Sequence, residues 1–315
     1  MADKADILVL VEQRPKAMAQ LEARYRLHRH DLANDKDAFV AACAPRIRGV
    51  VSNGEVGANR ALLAQLPALE IVACFGVGVD AIDLAYCQEQ SVPVTNTPDV
   101  LSAEVADLGL GLTLAVMKRV FEADRYLRAG NWPKSGPFAM GTTLGGKTMG
   151  IVGLGRIGKA LAKRAEACDM SIVYHGRNAQ ADVPYRYYAD LVAMARDVDV
   201  LAISTPGGDG TRGLVSAEVL RALGPEGYLV NIARGSVVDE AALTTALVNR
   251  EIKGAGLDVF EREPNVPEAL IGLDHVILTP HIASATNETR DAMAQLVVDN
   301  LDAHFAGKPL PTRFI

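Results

Sequence analysis

The chain has 315 residues, 49% of them hydrophobic, and a formal net charge of −6, so it is long enough for two domains with separate cores. The acidic balance argues against nucleic acid or an anionic membrane as a partner, because such binding depends on a basic surface. No apolar run approaches the ~18 residues needed to span a bilayer, and we therefore expect a cytoplasmic protein that acts on a small molecule.

The first third of the chain alternates short apolar runs with helical patterns. The alternation predicts an α/β unit with a parallel sheet. This unit contains no phosphate-binding glycine loop. The predicted strands are 6–10, 25–28, 49–52, 71–74 and 93–96.

One long amphipathic pattern over 103–129 predicts a single helix that leads into a second domain, ending at Gly130-Asn131-Trp132-Pro133. A six-stranded dinucleotide-binding sheet is then expected. A last helix, 288–306, is predicted to return to the first domain. The predicted strands of the second sheet are 149–152, 171–174, 200–204, 227–232, 254–258 and 275–278.

A glycine motif marks the start of the second sheet. The apolar strand at 148–152 runs into Gly153-Leu154-Gly155-Arg156-Ile157-Gly158, and a helical pattern follows over 160–167. The first glycine permits a tight turn, the second lets the backbone approach phosphates, and the third allows close packing of helix on strand. The helix N-terminus attracts an anion. This loop is therefore predicted to bind the pyrophosphate of a dinucleotide, with Arg156 and Ile157 among the contacting residues.

The end of the next strand indicates which dinucleotide is bound. A site for NAD would place Asp or Glu there to accept from the ribose 2′-OH. This strand instead ends in His175-Gly176-Arg177-Asn178, and a guanidinium can hold a 2′-phosphate bidentately. We therefore predict that NADP(H) is preferred through Arg177 and Asn178, with NAD(H) as the alternative. In that alternative Arg177 is an ordinary solvated loop residue.

These features together predict an α/β protein made of two doubly wound parallel-sheet domains. A Rossmann dinucleotide-binding domain, 99–284, is inserted into a flavodoxin-like substrate domain formed by 1–98 plus 285–315. The four cysteines show no C-x-x-C spacing, so we expect reduced packing residues and no metal site.

Three chemically active residues follow strands of the second sheet. Arg234 comes after Ala233, Glu263 lies just beyond the strand that ends at Asp258, and His281 follows the last strand. Ligands bind at the carboxyl ends of strands in open α/β sheets. These three groups suit the reduction of a 2-oxo acid. The guanidinium can hold the substrate carboxylate, the imidazole can donate a proton, and the carboxylate of the Glu side chain can adjust the pKa of the imidazole. Taken singly, each residue also fits a surface ion pair or a structural role.

The chain resembles the D-isomer-specific 2-hydroxyacid dehydrogenases over nearly its whole length, and within them the glyoxylate/hydroxypyruvate reductase branch, which includes the plant-type hydroxyphenylpyruvate reductases. The motifs that carry the resemblance are FGVGVDAID at 75–83, NTPDV at 96–100, GLGRIG at 153–158, NIARG at 231–235, GLDVF at 256–260, Glu263-Pro264 and PHIASAT at 280–286.

The resemblance implies a role for each of these residues. Arg234 would bind the oxo acid, His281 would protonate its carbonyl oxygen, and Glu263 would hold His281 and raise its pKa. Asp258 would contact the nicotinamide end of the cofactor, with Thr205 and Ala233 as further cofactor contacts. The N–H groups of Val77 and Gly78 would receive the substrate carboxylate, and the loop that contains Asn53 would form part of the pocket wall.

The implied activity is NADPH-dependent reduction of glyoxylate to glycolate or of hydroxypyruvate to D-glycerate. One alternative is a bulkier acid such as hydroxyphenylpyruvate or 2-ketogluconate. Another is a dinucleotide-sensing protein similar to the family's corepressors. The resemblance also implies a homodimer formed through the cofactor domain, and the apolar segment 131–140 is expected to contact the partner.

Overall fold

The computed structural model describes residues 4–315. These residues form two compact units, one made of 4–101 with Ala285–Ile315 and the other of Ser102–Ser284. The first three residues of the predicted substrate domain lie outside the described range.

The first unit is built on a parallel sheet of five strands, one for each predicted strand. Its order is β2-β1-β3-β4-β5, the order of a flavodoxin-like doubly wound sheet. The interior strand β1 is buried along its whole length, because helices cover both faces of such a sheet. The strands are β1 (Asp6–Val9), β2 (Arg26–Arg29), β3 (Ile47–Asn53), β4 (Ile71–Phe75) and β5 (Val94–Thr95), and the helices between them are α1 (Pro15–Arg24), α2 (Lys36–Cys43), α3 (Arg60–Leu63) and α4 (Leu84–Glu89).

The second unit begins with two helices where the sequence predicted one. Helix α5 (Ser102–Met117) and helix α6 (Val120–Arg128) replace the single helix expected over 103–129. Arg119, between them, has a φ of +57°, which an α-helix does not accommodate. The sequence at the break contains no Gly or Pro, the residues from which a helix end can be predicted. The remaining helices of this unit are α7 (Trp132–Ser135), α8 (Arg156–Glu166), α9 (Leu191–Asp197), α10 (Ala217–Leu223), α11 (Glu240–Val248) and α12 (Glu268–Ile271).

The sheet of the second unit has seven strands, so the prediction of six was wrong by one. All neighbours are parallel in the order β12-β11-β10-β9-β6-β7-β8, which is a Rossmann sheet with one further strand. The unpredicted strand is β8, three residues long, at the edge next to β7. The strands are β6 (Thr148–Val152), β7 (Ser171–His175), β8 (Arg186–Tyr188), β9 (Val200–Ile203), β10 (Tyr228–Asn231), β11 (Gly254–Leu257) and β12 (Val276–Leu278).

The last helix, α13 (Asn287–Phe305), belongs to the first unit, as the sequence predicted. The Thr286 hydroxyl caps its N-terminus by accepting from the Thr289 N–H. Its buried residues, including Val297 and Leu301, pack against β4 and α1. The chain therefore leaves the first unit after β5 and returns to complete its core.

Among residues 4–315, no helix combines the length and apolar character that a membrane span requires. The cytoplasmic location stays a prediction. Three of the cysteines, Cys43, Cys74 and Cys87, are buried, and two of them, Cys43 and Cys87, have thiol pKa values raised mainly by burial. Cys168 is partly exposed.

Candidate active site

The glycine motif forms the turn between β6 and α8. Gly153 has a φ of +94°, and a Cβ there would lie 2.7 Å from the backbone N of Thr205. A Cβ on Gly158 would lie 2.3 Å from the Gly153 carbonyl oxygen, so α8 approaches the turn as closely as only glycine allows. The loop after β9 closes the other side, because the Ser204 hydroxyl donates to the Gly153 oxygen at 2.7 Å. Thr205 thus lies against the turn, and its contact with the cofactor stays a prediction.

Gly155 differs from its two neighbours in the motif because open space surrounds it. It is the N-cap of α8, and no atom lies within 4 Å of a Cβ built on it. The backbone is therefore open to close approach at the N-terminus of an 11-residue helix, where the first N–H groups have no partner within the helix and attract an anion. A dinucleotide pyrophosphate fits this position, which also includes Arg156 and Ile157.

The end of β7 places Arg177 and Asn178 in an exposed bend. Tyr187 on the neighbouring strand β8 donates its hydroxyl to the Gly176 carbonyl at 3.0 Å. The Gly153 N–H donates to the His175 carbonyl at 2.8 Å. The bend with the predicted 2′-phosphate residues is therefore joined directly to the glycine turn.

Arg234 lies in a turn after β10 that is held by a buried asparagine. Asn231, 2% exposed, accepts from the Ala233 N–H and donates to the Arg234 carbonyl, both at 3.0 Å. The Arg234 guanidinium donates to the Ala233 carbonyl at 2.8 Å. The sequence places Asn231 in the motif at 231–235 but does not indicate its role. Two features could have indicated that Asn231 holds the turn: it lies at the end of a strand, and its amide can both donate and accept hydrogen bonds.

His281 and Glu263 form a hydrogen-bonded pair. The His281 Nδ1 and the Glu263 Oε2 are 2.7 Å apart, and the two side chains are 27% and 25% exposed. The other carboxylate oxygen, Oε1, accepts from the Phe260 N–H at 2.9 Å. The carboxylate is thus fixed by its own loop and turns one oxygen towards the imidazole.

The charges around the pair favour a protonated imidazole. The hydrogen bond that His281 donates to Glu263 raises the pKa of His281 above its ordinary value, although burial opposes the shift. Burial alone would raise the pKa of Glu263, but its hydrogen bonds from His281 and Phe260 outweigh burial and lower it. The positive charge of Arg234 lowers the pKa of both groups. The structure thus brings together the three residues that the sequence predicted.

Asp258 supports the turn on which His281 lies. Its side chain is completely buried and accepts from the Thr279 hydroxyl at 2.6 Å and from the Ile282 and Ala283 N–H groups at 2.8 and 2.9 Å. Its backbone carbonyl accepts from the His281 N–H at 2.9 Å. Burial raises the pKa of Asp258, although these hydrogen bonds oppose it. Contact between Asp258 and the nicotinamide end stays a prediction.

In the first unit, the loop after β4 carries Val77 and Gly78. Gly76, with a φ of +126°, makes the turn. Asn96 donates its amide to the Val77 carbonyl at 3.0 Å. Thr97 accepts from the Gly76 N–H at 3.0 Å through its hydroxyl, and its own N–H donates to the Gly76 carbonyl at 2.8 Å.

Asn96 and Thr97 thus support the loop with Val77 and Gly78, a role that their place in the motif at 96–100 did not indicate. Asn53, predicted as a pocket residue, uses its side-chain oxygen locally, accepting from the N–H groups of Glu55 and Val56 at 3.1 and 2.8 Å.

Comparison with known proteins agrees with this geometry. Residues 110–283 match the model of the D-isomer specific 2-hydroxyacid dehydrogenase NAD binding domain. The chain is 50% identical over 293 residues to a hydroxyphenylpyruvate reductase of Plectranthus scutellarioides, which covers 93% of each chain. It is 41% identical over 316 residues to a 2-ketogluconate reductase of Gluconobacter oxydans, over the full length of both.

Among solved structures, the chain is similar to an NADPH-dependent glyoxylate/hydroxypyruvate reductase of Sinorhizobium meliloti in complex with NADP and malonate. The TM-score is 0.91 at 43% identity, and the match covers 99% of this chain and 97% of the other.

Proposed function

The chain belongs to the D-isomer-specific 2-hydroxyacid dehydrogenase family, and we propose that within it the protein reduces glyoxylate or hydroxypyruvate with NADPH. The family and the dinucleotide turn make it an NAD(P)-dependent oxidoreductase. The observation that carries the proposal is the His281–Glu263 pair at 2.7 Å, in which the carboxylate raises the pKa of the imidazole beside the charge of Arg234.

The proposed chemistry adds a hydride and a proton across the C2 carbonyl of the 2-oxo acid. The reduced nicotinamide supplies the hydride to C2 when it is bound. His281 donates its proton to the carbonyl oxygen, so that negative charge does not accumulate there. Before the transfer, Glu263 compensates the charge of the imidazolium, and its hydrogen bond to Nδ1 keeps the ring oriented. The product is the 2-hydroxy acid.

In the second unit, Arg234 is proposed to bind the substrate carboxylate; in the first unit, the Val77 and Gly78 N–H groups stay a predicted anion-binding loop. A guanidinium matches the geometry of a carboxylate and can form two parallel hydrogen bonds with it. Successive N–H groups in a tight loop make a concavity suited to an anion. The contacts that Asn96 and Thr97 make to this loop keep its backbone in one conformation.

NADPH is proposed as the preferred cofactor because of Arg177. It lies in the bend after β7 in an exposed position, where a family member that uses NAD would need a carboxylate. The solved relative from Sinorhizobium meliloti is NADPH-dependent and has NADP bound. NADH is expected to serve as a poorer cofactor, because its ribose lacks the phosphate that Arg177 would bind.

A panel of 2-oxo acids assayed with NADPH and with NADH tests the proposal. We expect the highest kcat/KM for glyoxylate or hydroxypyruvate with NADPH. Higher kcat/KM for hydroxyphenylpyruvate or 2-ketogluconate would instead favour the second candidate, a reductase of bulkier acids, which the matches to relatives with those names support. Binding of NADPH without turnover of any acid would point to a dinucleotide sensor.

A homodimer formed through the second unit is also proposed. Helix α6 has no buried residue, yet its Phe121 and Leu127 are 50% and 54% exposed. Trp132 and Met140 follow at 62% and 94%. Exposed apolar patches of this kind usually mark a protein–protein interface. Phe138 lies partly buried against Tyr126, with ring centroids 5.3 Å apart, so the more exposed Trp132 and Met140 are the better contact candidates.

A further inference from the structure

The bend with Arg177 must be held in place for its guanidinium to bind a phosphate well. Arg177 and Asn178 are exposed, and a long side chain on a loose loop loses conformational freedom when it binds a ligand. Anchors at the two ends of the bend reduce that loss. The start of the bend is anchored by Tyr187 through the Gly176 carbonyl, as described above.

The far end of the bend is anchored by Gln180. Its backbone N–H donates to the hydroxyl of Tyr174 at 2.7 Å, and Tyr174 lies in β7 with its side chain 1% exposed. Its side-chain amide donates to the Leu154 carbonyl at 2.8 Å. Leu154 stands between the first two glycines of the dinucleotide motif. Gln180 therefore ties the bend both to the sheet and to the glycine turn.

We propose that Gln180 is a positioning residue for cofactor choice: its side-chain amide, bound to the Leu154 carbonyl, holds the Arg177 bend where the 2′-phosphate of NADPH lies. This inference rests on the proposed preference for NADPH. Gln180 acts through Arg177 and the backbone and does not itself contact the phosphate.

The glycine turn depends on Gln180 much less than the bend does. Its Gly153 carbonyl accepts from the Ser204 hydroxyl at 2.7 Å, and its Gly153 N–H donates to the His175 carbonyl at 2.8 Å. Loss of the Gln180 amide therefore leaves the pyrophosphate site in place. Besides the Tyr174 hydroxyl, the loop at this end has an exposed ion pair between Lys159 and Asp182 at 2.8 Å, and exposed ion pairs contribute little.

The test is equilibrium binding, measured by titration calorimetry of the purified protein with NADP⁺ and with NAD⁺. Gln180→Ala and Gln180→Met, which keeps the length of the side chain without its donor, should weaken NADP⁺ binding by roughly threefold to tenfold, as expected for loss of one hydrogen bond. NAD⁺ binding should change by less than about twofold, since the glycine turn keeps its other contacts.

A matched control is Gln65→Ala. Gln65 donates its amide to the Ala61 carbonyl at 2.9 Å in an exposed position of the first unit, and its loss should change neither affinity. Tyr174→Phe removes the hydroxyl that accepts from the Gln180 N–H and leaves the Gln180 side chain unchanged. It should weaken NADP⁺ binding selectively as well, so the proposal stays testable if a Gln180 variant fails to fold.

Combination with Arg177→Ala separates the two proposals. Gln180→Ala should add little to the loss already caused by Arg177→Ala, because both act on one phosphate contact. If Arg177→Ala leaves the ratio of the two affinities unchanged, the assignment of NADPH is wrong and this inference falls with it. Suppose instead that Arg177→Ala lowers the ratio of NADP⁺ affinity to NAD⁺ affinity. The role of Gln180 alone is then overturned if Gln180→Ala weakens the binding of both cofactors equally, weakens the binding of neither, or adds its full effect to that of Arg177→Ala.

Discussion

Replacing Asp258 by Asn tests how the turn beneath His281 is built. The buried carboxylate accepts from Thr279 and Ile282 through Oδ1 and from the Ala283 N–H through Oδ2. An asparagine has one oxygen, which can keep the two contacts at Oδ1. Its NH₂ group must then face the Ala283 N–H, so that two donors oppose each other.

The size of the effect follows from these contacts. One hydrogen bond to a charged acceptor is lost, at about 1.5–3 kcal/mol, and a buried N–H is left unpaired. We expect a destabilisation of about 3 kcal/mol or more. For a unit of the size of Ser102–Ser284, that corresponds to a decrease in Tm of about 6–12 °C. The kcat should fall by about 10²-fold or more, because His281, the proposed proton donor, lies on the same turn.

Thermal unfolding of the cofactor-free protein and steady-state reduction of glyoxylate are the two assays. Two variants serve as controls. His281→Ala should lose activity with little change in Tm, since the 27% exposed ring is not a core group. Thr279→Val should lower the Tm less than Asp258→Asn does, because it removes one neutral donor. A Tm for Asp258→Asn within about one degree of the wild type would refute the structural role of the carboxylate.

Three further predictions concern the proton donor, the cofactor and the assembly. If His281 is the proton donor, reduction is fast below its raised pKa and slows as pH rises through it. Glu263→Gln removes the charge that raises this pKa, so the falling limb of the pH–kcat profile should move to lower pH. An unmoved limb would show that Glu263 does not tune the donor. Arg177→Asp should reduce kcat/KM for NADPH by about 10- to 100-fold through loss of charged hydrogen bonds and change kcat/KM for NADH much less. An unchanged ratio of the two kcat/KM values contradicts the assignment of Arg177 to the 2′-phosphate. Trp132→Asp should shift the protein towards monomer in sedimentation, whereas Lys134→Asp, a change at another exposed position of α7, should not; a wild type that is already monomeric at micromolar concentration removes the dimer proposal.

The two sheets were largely predictable because their strands are short apolar runs bounded by turn residues. β8 escaped prediction since it has three residues and lies at the sheet edge, where Arg186 is exposed and only Tyr188 is buried. The break between α5 and α6 escaped for a different reason. Arg119 adopts a left-handed conformation that local propensity does not favour, and it is held by an ion pair with Glu122 at 2.6 Å, which a hydrophobic pattern does not reveal.

The positions of the reactive groups in the second unit were predictable, but their supports were not. Residues at the carboxyl ends of parallel strands meet at one edge, which indicated that Arg234, Glu263 and His281 would lie together. The hydrogen bonds of Asn231 and Asp258 depend on backbone groups in neighbouring turns. Such groups are supplied by every residue type, so sequence letters alone do not identify the partner.

Each reactive side chain is supported by a contact that lies outside the chemistry it performs. Asn231 fixes the turn of Arg234, the Phe260 N–H fixes Glu263, and Asp258 fixes the turn of His281. None of these supports involves a group that would contact the substrate beyond C2, so the proposed chemistry does not itself select the size of the 2-oxo acid. Relatives named for hydroxyphenylpyruvate and for 2-ketogluconate are consistent with that separation. Discrimination between acids must then come from loops that contact the substrate beyond C2, so substitutions in those loops should change KM and the ranking of acids while the pH limb set by His281 and Glu263 stays in place.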